Sequence, residues 1–475
     1  MFSAFVVKAL IVRLYRDDIH CMAESETRVL ALEAENARLR AEIEKLKALV
    51  EELQRRQHRP HAPFSKGPPK SDPKPPGRKP GDDYGTKAFR QAPNEVDESY
   101  DAPLPRRCPL CGGGVESVGT AEQFQTEIPR RPIRRQFNVH IGRCTCCGKR
   151  IQGRHPLQTS DALGAAASQL GPDAQALVTV LNKTAGLSHG KIQRVFQMAF
   201  GITFTRGASA QIMLRAARRC GAAYRQILIV VKHSAWCVPD ETGWKVGGVL
   251  QWLHVFVTER ATLYLIRPSR GFDVAEEALG ADYAGDLTRD GWKPYDRFIF
   301  AYHQQCNAHL LRRCEHLLET ATRAAVVFPR RVKALLQAGL AARDARDAGT
   351  LSRARAQVQA ASLTTRLLDC CGPKTDPGNA RLANFLRWHA GEVFNYLRRP
   401  LLFATNWRAE QAVRPAVVNR KVWGGSRTQD GADAQGILIS VLRTADQLRH
   451  DTLDFLSATL RAPPGQAPRL ISVTP

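Results

Sequence analysis

The chain has 475 residues, enough for several domains and at least one sizeable core, which excludes a small disulfide-stapled scaffold. Lysine and arginine number 69 against 45 acidic residues, a formal charge of +24, and arginine recurs throughout; the expected partner is a polyanion, nucleic acid before membrane. The 12 cysteines do not read as a secreted framework, since several sit in C-x-x-C pairs and the rest are scattered through helical patterns; a reducing cytoplasm with a metal site fits them.

The opening stretch MFSAFVVKALIVRLYRDD is apolar, but Lys8, Arg13 and Arg16 interrupt it and it is too short to span a bilayer. Residues 1–25 read as a start extension, with Met22 as the expected true start, and a short membrane-facing helix as the other reading. Residues 26–57 carry Leu32, Leu39, Leu46 and Leu53 at heptad spacing, with Val29, Asn36, Ile43 and Val50 three places before each. That is an a/d seam, in which branched residues at a and leucine at d favour a parallel two-stranded coil and a single buried Asn36 fixes register. An amphipathic helix docked on its own core is the alternative.

Residues 58–98, rich in proline, lysine and glycine, read as an extended basic linker, either a passive spacer or a strand of charge that follows a phosphate backbone. Within residues 99–158, Cys108 and Cys111 form one C-x-x-C pair and Cys144 and Cys147 another, each running into glycine. Four thiolates suit a tetrahedral zinc ion with no open position, hence a structural zinc-ribbon-like module, with Cys146 as a spare thiol. Buried or redox cysteines are the other reading.

Residues 159–232 turn helical. Helix-period apolar residues broken at GLSHG and FGITFTRG fit a helix-turn-helix DNA reader whose helix from about Ala208 presents Arg215, Arg218 and Arg219, or a plain helical bundle.

From residue 233 an apolar run leads to Asp240 and Glu241 and then a glycine turn. Pro239 lacks a ladder donor, so the strand is expected to end at Val238 or to lie at an edge there, and Glu241 should point away from Asp240. Two apolar strands joined at TERA follow. Asp290 then stands before a Gly-Trp turn, and Asn406 is placed to cap a helix that carries Glu410 in its early turns, with Pro415 limiting it. Taken singly, Asp290 is a turn cap and Glu410 an exposed helix charge. His303, Cys306 and His309 are three apart and invite a metal reading; packing, or a contact from His309 to phosphate, is the expectation preferred. WGGSRT lacks the strand, spacing and lysine of a nucleotide loop, which excludes ATP use.

The stretches DETGWKVGG with WLHVFVT, YAGDLTRDGWKPY, HQQCNAHLLRR and NWRAEQAVRPAVVNRKVWGGSRT, in that order, resemble bacterial transposases of the insertion-sequence 66 family. The zipper, the PPGRKPG linker and the paired knuckles resemble that family's N-terminal half, so the resemblance runs from about Ser25 to Leu460. It implies a DDE enzyme with a ribonuclease-H-like core, whose acids match Asp240, Asp290 and Glu410 here. Three converging carboxylates repel, and two magnesium ions about 3.5–4 Å apart resolve that repulsion; Asp240 would bridge both, with Asp290 and Glu410 on opposite sides. Arg414, Arg420, Lys421 and Arg427 near the third acid are the expected DNA-phosphate contacts, with Arg215 and Arg218 of the helical region.

The expected architecture is therefore multidomain α/β. A coiled coil, a linker and a zinc-ribbon-like module precede a helix-turn-helix-like region. The ribonuclease-H-like catalytic core follows at 233–430, with a helical insertion at about 315–400 that holds DNA or braces the core, and a helical tail occupies 431–475. The implied activity is magnesium-dependent cleavage and strand transfer of double-stranded DNA at terminal inverted repeats, in the nucleoid of a bacterial cytoplasm. The implied state is a homodimer or higher oligomer, with accessory proteins of the same element as further partners and no membrane. A zinc-containing DNA-binding regulator that no longer catalyses, and a nuclease that cleaves without joining, are the rivals.

Overall fold

The computed structural model describes residues 32–46, 50, 92–126, 128, 131–164, 169–320, 323–463 and 465–471. The expected start extension, most of the linker and residues 26–31, 47–49 and 51–57 of the heptad run fall outside the described residues. The chain divides into two units, Met1–Phe124 and Gln125–Pro475.

In the first unit, helix α1 covers residues 32–46. Its seam residues Leu32, Leu39, Ile43 and Leu46 are each 50–55% exposed, so the apolar stripe is not spent on a core of its own chain among the described residues. Further on, the Cys108 N–H donates to Gly113 O at 2.8 Å and the Gly112 N–H to Cys108 O at 2.9 Å, which folds the first C-x-x-C into a tight knuckle. Gly112 takes φ +74, a left-handed conformation that a side chain would oppose.

The second unit opens with the same local design. Strands β1 (Ile141–Arg143) and β2 (Arg150–Gln152) pair antiparallel. Between them the Cys144 N–H donates to Lys149 O at 2.9 Å and the Gly148 N–H to Cys144 O at 2.9 Å, with Gly148 at φ +67. Four helices follow: α2 (Pro172–Lys183), α3 (His189–Phe200), α4 (Arg206–Arg219) and α5 (Gly221–Lys232). Ser188 and Thr205 cap α3 and α4 by accepting from backbone N–H groups, which is why the chain restarts after GLS and after GITF.

The central sheet has five strands: β3 (Trp236–Val246), β4 (Val249–Val257), β5 (Thr262–Arg267), β6 (Asp286–Arg289) and β7 (Tyr302–Gln305). Their spatial order is β5-β4-β3-β6-β7. The first three form an antiparallel meander, and β6 and β7 run parallel to β3, with α6 (Phe272–Leu279) crossing between β5 and β6. A mixed five-stranded sheet with helices on both faces fits a ribonuclease-H-like core. Alternation divides the side chains cleanly. Cys237, Phe256, Leu263 and Leu265 pack with α2–α5 and with α12 (Gln429–Gln447) and α13 (Thr452–Arg461). Val238, Leu253, Val255, Tyr264 and Ile266 pack on the other side with Ala409, Ala412, Val413 and Ala416 of α11 (Trp407–Trp423). The helices at 172–232 and 429–461 are thus layers of one core with the sheet, a closer union than a separate DNA reader or a tail.

Between β7 and α11 the chain builds a helical insertion with a core of its own, starting earlier than the expected residue 315. It comprises α7 (Asn307–Thr320), α8 (Val327–Asp347), α9 (Arg353–Cys370) and α10 (Pro377–His389). Phe385 of α10 lies where a Cβ on Gly291 would meet its ring at 3.0 Å, so the insertion presses against the turn that carries Asp290. Among the described residues no helix is long and apolar enough to cross a membrane.

Candidate active site

Asp240 lies inside β3, not at its end. The strand continues through Pro239 to Val246 because its β4 ladder is unbroken, with Pro239 opposite Phe256 and Asp240 opposite Val255. The pairing of β3 with β6 covers only Trp236 and Cys237. From Val238 onward β3 is free on its β6 side, and the missing N–H of Pro239 costs no interior sheet bond there. Asp240 shares the face of Val238, toward α11, while Glu241 shares the face of Cys237.

Asp290 follows the last residue of β6. Its Oδ1 accepts from the Trp292 N–H at 3.0 Å, the turn-capping bond expected of an acid before Gly-Trp. Asp286, at the start of β6, is buried and accepts from the Arg399 Nε–H at 2.7 Å.

Glu410 sits in the first turn of α11 and is exposed. Asn406 occupies the cap position, but its side chain does not cap: Oδ1 accepts from the Cys306 thiol at 3.1 Å, and its own backbone carbonyl accepts from the Glu410 N–H at 3.2 Å. Pro415 does not end the helix either; α11 runs through it to Trp423. Packing of Ala409, Ala412, Val413 and Ala416 on the sheet outweighs the one lost backbone bond.

These elements bring the acids together electrostatically. Burial pushes the Asp240 carboxyl up to about 7, and the charges of Glu241, Asp290 and Glu410 add to the rise. Glu241 is raised as well, by burial and then by Asp290, although Arg270 and the Tyr295 hydroxyl oppose the shift. Among the described residues no three His, Cys, Asp or Glu side chains gather closely enough to hold a metal ion. Glu410 is instead drawn to Arg312 of α7, whose Nη2 donates to Oε1 at 2.7 Å. The donor set itself, carboxylate oxygens on three elements whose charges bear on Asp240, has the chemistry of a hard divalent-cation site.

Two features escaped the sequence. One is Arg270, just past β5, which donates to Glu241 Oε1 from Nε at 3.0 Å and from Nη2 at 2.7 Å. Its guanidinium lies 3.9 Å from the Trp292 ring and 4.6 Å from Trp252. Alternation foretold that Glu241 faces away from Asp240, yet nothing in the spacing named its partner. The other is Arg312, which lies in the HQQCNAHLLRR stretch without any local mark of its role.

The His303, Cys306 and His309 series is not a ligand set. His303 Nδ1 accepts from Arg289 Nε at 2.9 Å, Cys306 is buried on Asn406, and His309 Nε2 is 3.9 Å from Glu410. Burial and then the Arg312 charge hold the His309 pKa below its ordinary value.

Among the basic residues expected to contact DNA, Arg414, Lys421, Arg427, Arg215 and Arg218 are exposed. Arg420 is half-buried and donates from Nη1 to Thr242 Oγ1 at 3.2 Å and to the Gly243 carbonyl, so it ties α11 to β3. Beyond it, Gly424 and Gly425 take φ +86 and +126, and Ser426 clasps the end of β3: its N–H donates to Lys245 O at 2.8 Å and its hydroxyl accepts from Trp244 Nε1 at 3.2 Å. The glycine-rich WGGSRT stretch is a structural fastening.

The mixed five-stranded sheet with helices on both faces fits a ribonuclease-H-like core, with Asp240 on its central strand, Asp290 past the neighbouring strand and Glu410 on the helix laid over it. The model of the family described as Transposase IS66 family matches residues 167–434, and the chain belongs to that family of transposases. No curated protein matches it.

Proposed function

We propose that this transposase binds the terminal inverted repeats of its insertion sequence and catalyses magnesium-dependent cleavage and strand transfer, with Asp240, Asp290 and Glu410 as the catalytic acids. The observation that carries the reading is the shared electrostatics of these three carboxylates, contributed by β3, the turn after β6 and α11 of one family-matched core. Divalent ions bound there would activate the attacking water or 3′-hydroxyl and stabilise the leaving oxygen. Asp240, being central, is the acid suited to contact both ions. Arg414, Lys421 and Arg427 extend from the same helix and clasp and supply cations for the DNA backbone, while Arg215 and Arg218 of α4 add a second basic surface.

The remaining modules serve assembly. The exposed a/d stripe of α1 pairs subunits as a parallel coiled coil, and the thiolates of Cys108 and Cys111 in one knuckle and of Cys144 and Cys147 in the other are the candidate ligands for structural zinc, each knuckle having a backbone turn suited to thiolate ligands. Such an enzyme works on nucleoid DNA in the bacterial cytoplasm, together with any accessory proteins its element encodes. Transposition of the complete marked element in bacterial cells tests the reading. Movement by the wild type and its loss in Asp240→Asn, Asp290→Asn and Glu410→Gln at matched protein levels is the expected result. Mobility that survives any of these removes that residue, and a wild type that binds element ends without moving them supports a DNA-binding regulator.

A further inference from the structure

We propose that Arg312 is a latch on the third carboxylate: it holds Glu410 away from Asp240 and Asp290 and releases it when DNA phosphate oxygens take its guanidinium. The inference rests on the reading of these three acids as a metal-dependent site.

Its basis is geometric. Arg312 Nη2 donates to Glu410 Oε1 at 2.7 Å and lies 3.3 Å from His309 Nε2, which is itself 3.9 Å from the same Glu410 oxygen. The carboxylate that should complete a metal site is therefore already neutralised by a cation of the protein. Consistent with that, no group of three potential ligands closes up among the described residues. The two partners belong to different bodies of the fold, Glu410 to the helix on the sheet and Arg312 to the first helix of the insertion. A shift of the insertion on binding DNA would move one against the other.

The pair is built to open. The Arg312 side chain is 58% exposed and that of Glu410 42%, and an ion pair between exposed, long side chains holds weakly. A divalent ion competing for the carboxylate, or a phosphate competing for the guanidinium, can displace either partner. Arginine's planar fork suits phosphate oxygens better than a lysine would, so the same group that masks Glu410 becomes a DNA contact once freed. A merely structural tether between α7 and α11 would have neither consequence.

Calorimetric titration of the full-length, zinc-loaded protein with Mn²⁺ separates the two. Arg312→Ala is expected to bind Mn²⁺ about two- to fivefold more tightly than the wild type, the gain corresponding to removal of a weak competing ion pair. The gain should be absent in Arg312→Ala combined with Glu410→Gln. In Ca²⁺, where cleavage is suppressed, Arg312→Ala should also bind a labelled DNA duplex more weakly, with the slope of log K against log salt reduced by about 0.9. Unchanged or weaker Mn²⁺ binding by Arg312→Ala overturns the latch. Should that variant fail to fold, Arg312→Lys, which keeps a cation without the fork, is expected to bind Mn²⁺ more tightly than the wild type, and an unchanged affinity there overturns it equally. If Asp240→Asn leaves Mn²⁺ binding of the otherwise wild-type chain untouched, the metal-site reading itself fails and the latch with it.

Discussion

Arg270 holds Glu241 through two hydrogen bonds of 3.0 and 2.7 Å while its guanidinium lies against Trp292 and Trp252. The Glu241 side chain is 2% exposed, and it sits one residue from Asp240. Breaking a buried ion pair from one side strands the other charge. Arg270→Ala should therefore cost about 3 kcal/mol of stability in urea unfolding. Adding Glu241→Gln, which removes the stranded charge, should recover more than half of that loss. A double variant as unstable as the single one would mean that Arg270 acts through its stacking on the tryptophans.

The raised Asp240 pKa makes a linked prediction about pH. Its folded value of about 7 exceeds the ordinary 3.8, so the folded state holds the proton more tightly than the unfolded chain. Stability is then full below about pH 4 as far as this group is concerned, and it is lost as pH rises through 7, by about 4 kcal/mol. Glu241, also raised, acts in the same direction. Without divalent ions, thermal unfolding across pH 5 to 8 should show stability falling with pH, and Asp240→Asn should flatten the curve. Mg²⁺ or Mn²⁺ should raise the melting temperature at pH 8 far more than at pH 5, because ions bind the ionised carboxylates. A slope that persists in Asp240→Asn would assign the titration elsewhere.

Much of this core is legible in the sequence, and the places where it is not have physical causes. The meander was readable because β4 and β5 alternate onto two buried faces, and Asp240 with Glu241 stands after an apolar run, whereas Asp290 and Glu410 carry no local mark and are singled out only by the family resemblance. Strand continuity through Pro239 was not decidable locally: it depends on β6 withdrawing after Cys237, a relation between segments far apart in the chain. Pro415 misled for a similar reason, since the alanine face of α11 against the sheet keeps the helix going past a residue that would stop it in isolation. The glycines of WGGSRT were noticed for a chemistry they lack. Gly425 is needed because its φ of +126 and the nearby Lys245 carbonyl leave no place for a Cβ, a closeness that exists only once α11 has returned to the end of β3. Arg270 and Arg312 were hidden among 69 basic residues, because what distinguishes them is the partner each meets in space.

The cysteine knuckles predict a metal content. In each, backbone N–H groups aimed at the first sulfur hold its pKa below the ordinary thiol value, those of Leu110 and Cys111 at Cys108 and those of Cys147 and Cys146 at Cys144. Such donors favour the thiolate, the form that binds zinc. Elemental analysis of purified protein should find one zinc per chain. Cys108→Ser, Cys111→Ser, Cys144→Ser and Cys147→Ser should each abolish it, while Cys146→Ser should leave it in place. Retention of zinc in any of the first four would remove that cysteine from the ligand set, and loss in Cys146→Ser would bring the spare thiol in.

Arg420 and its basic neighbours should part company when replaced one by one. Arg420 bonds Thr242 and Gly243 across to β3, so its loss leaves polar groups unpaired beside the strand that carries Asp240. Arg420→Ala should lower stability by about 1–3 kcal/mol. Lys421 and Arg427 are exposed, and their replacement by alanine should leave unfolding within about 0.5 kcal/mol of the wild type. On the proposed reading their effect falls on DNA binding, where each neutralised phosphate contact contributes about 0.9 to the slope of log K against log salt. Measured over a salt series on one duplex, Lys421→Ala and Arg427→Ala should each make that slope shallower by about that amount, with affinity reduced alike for specific and unrelated sequences. A variant that lost affinity for element ends alone would instead place its side chain against bases.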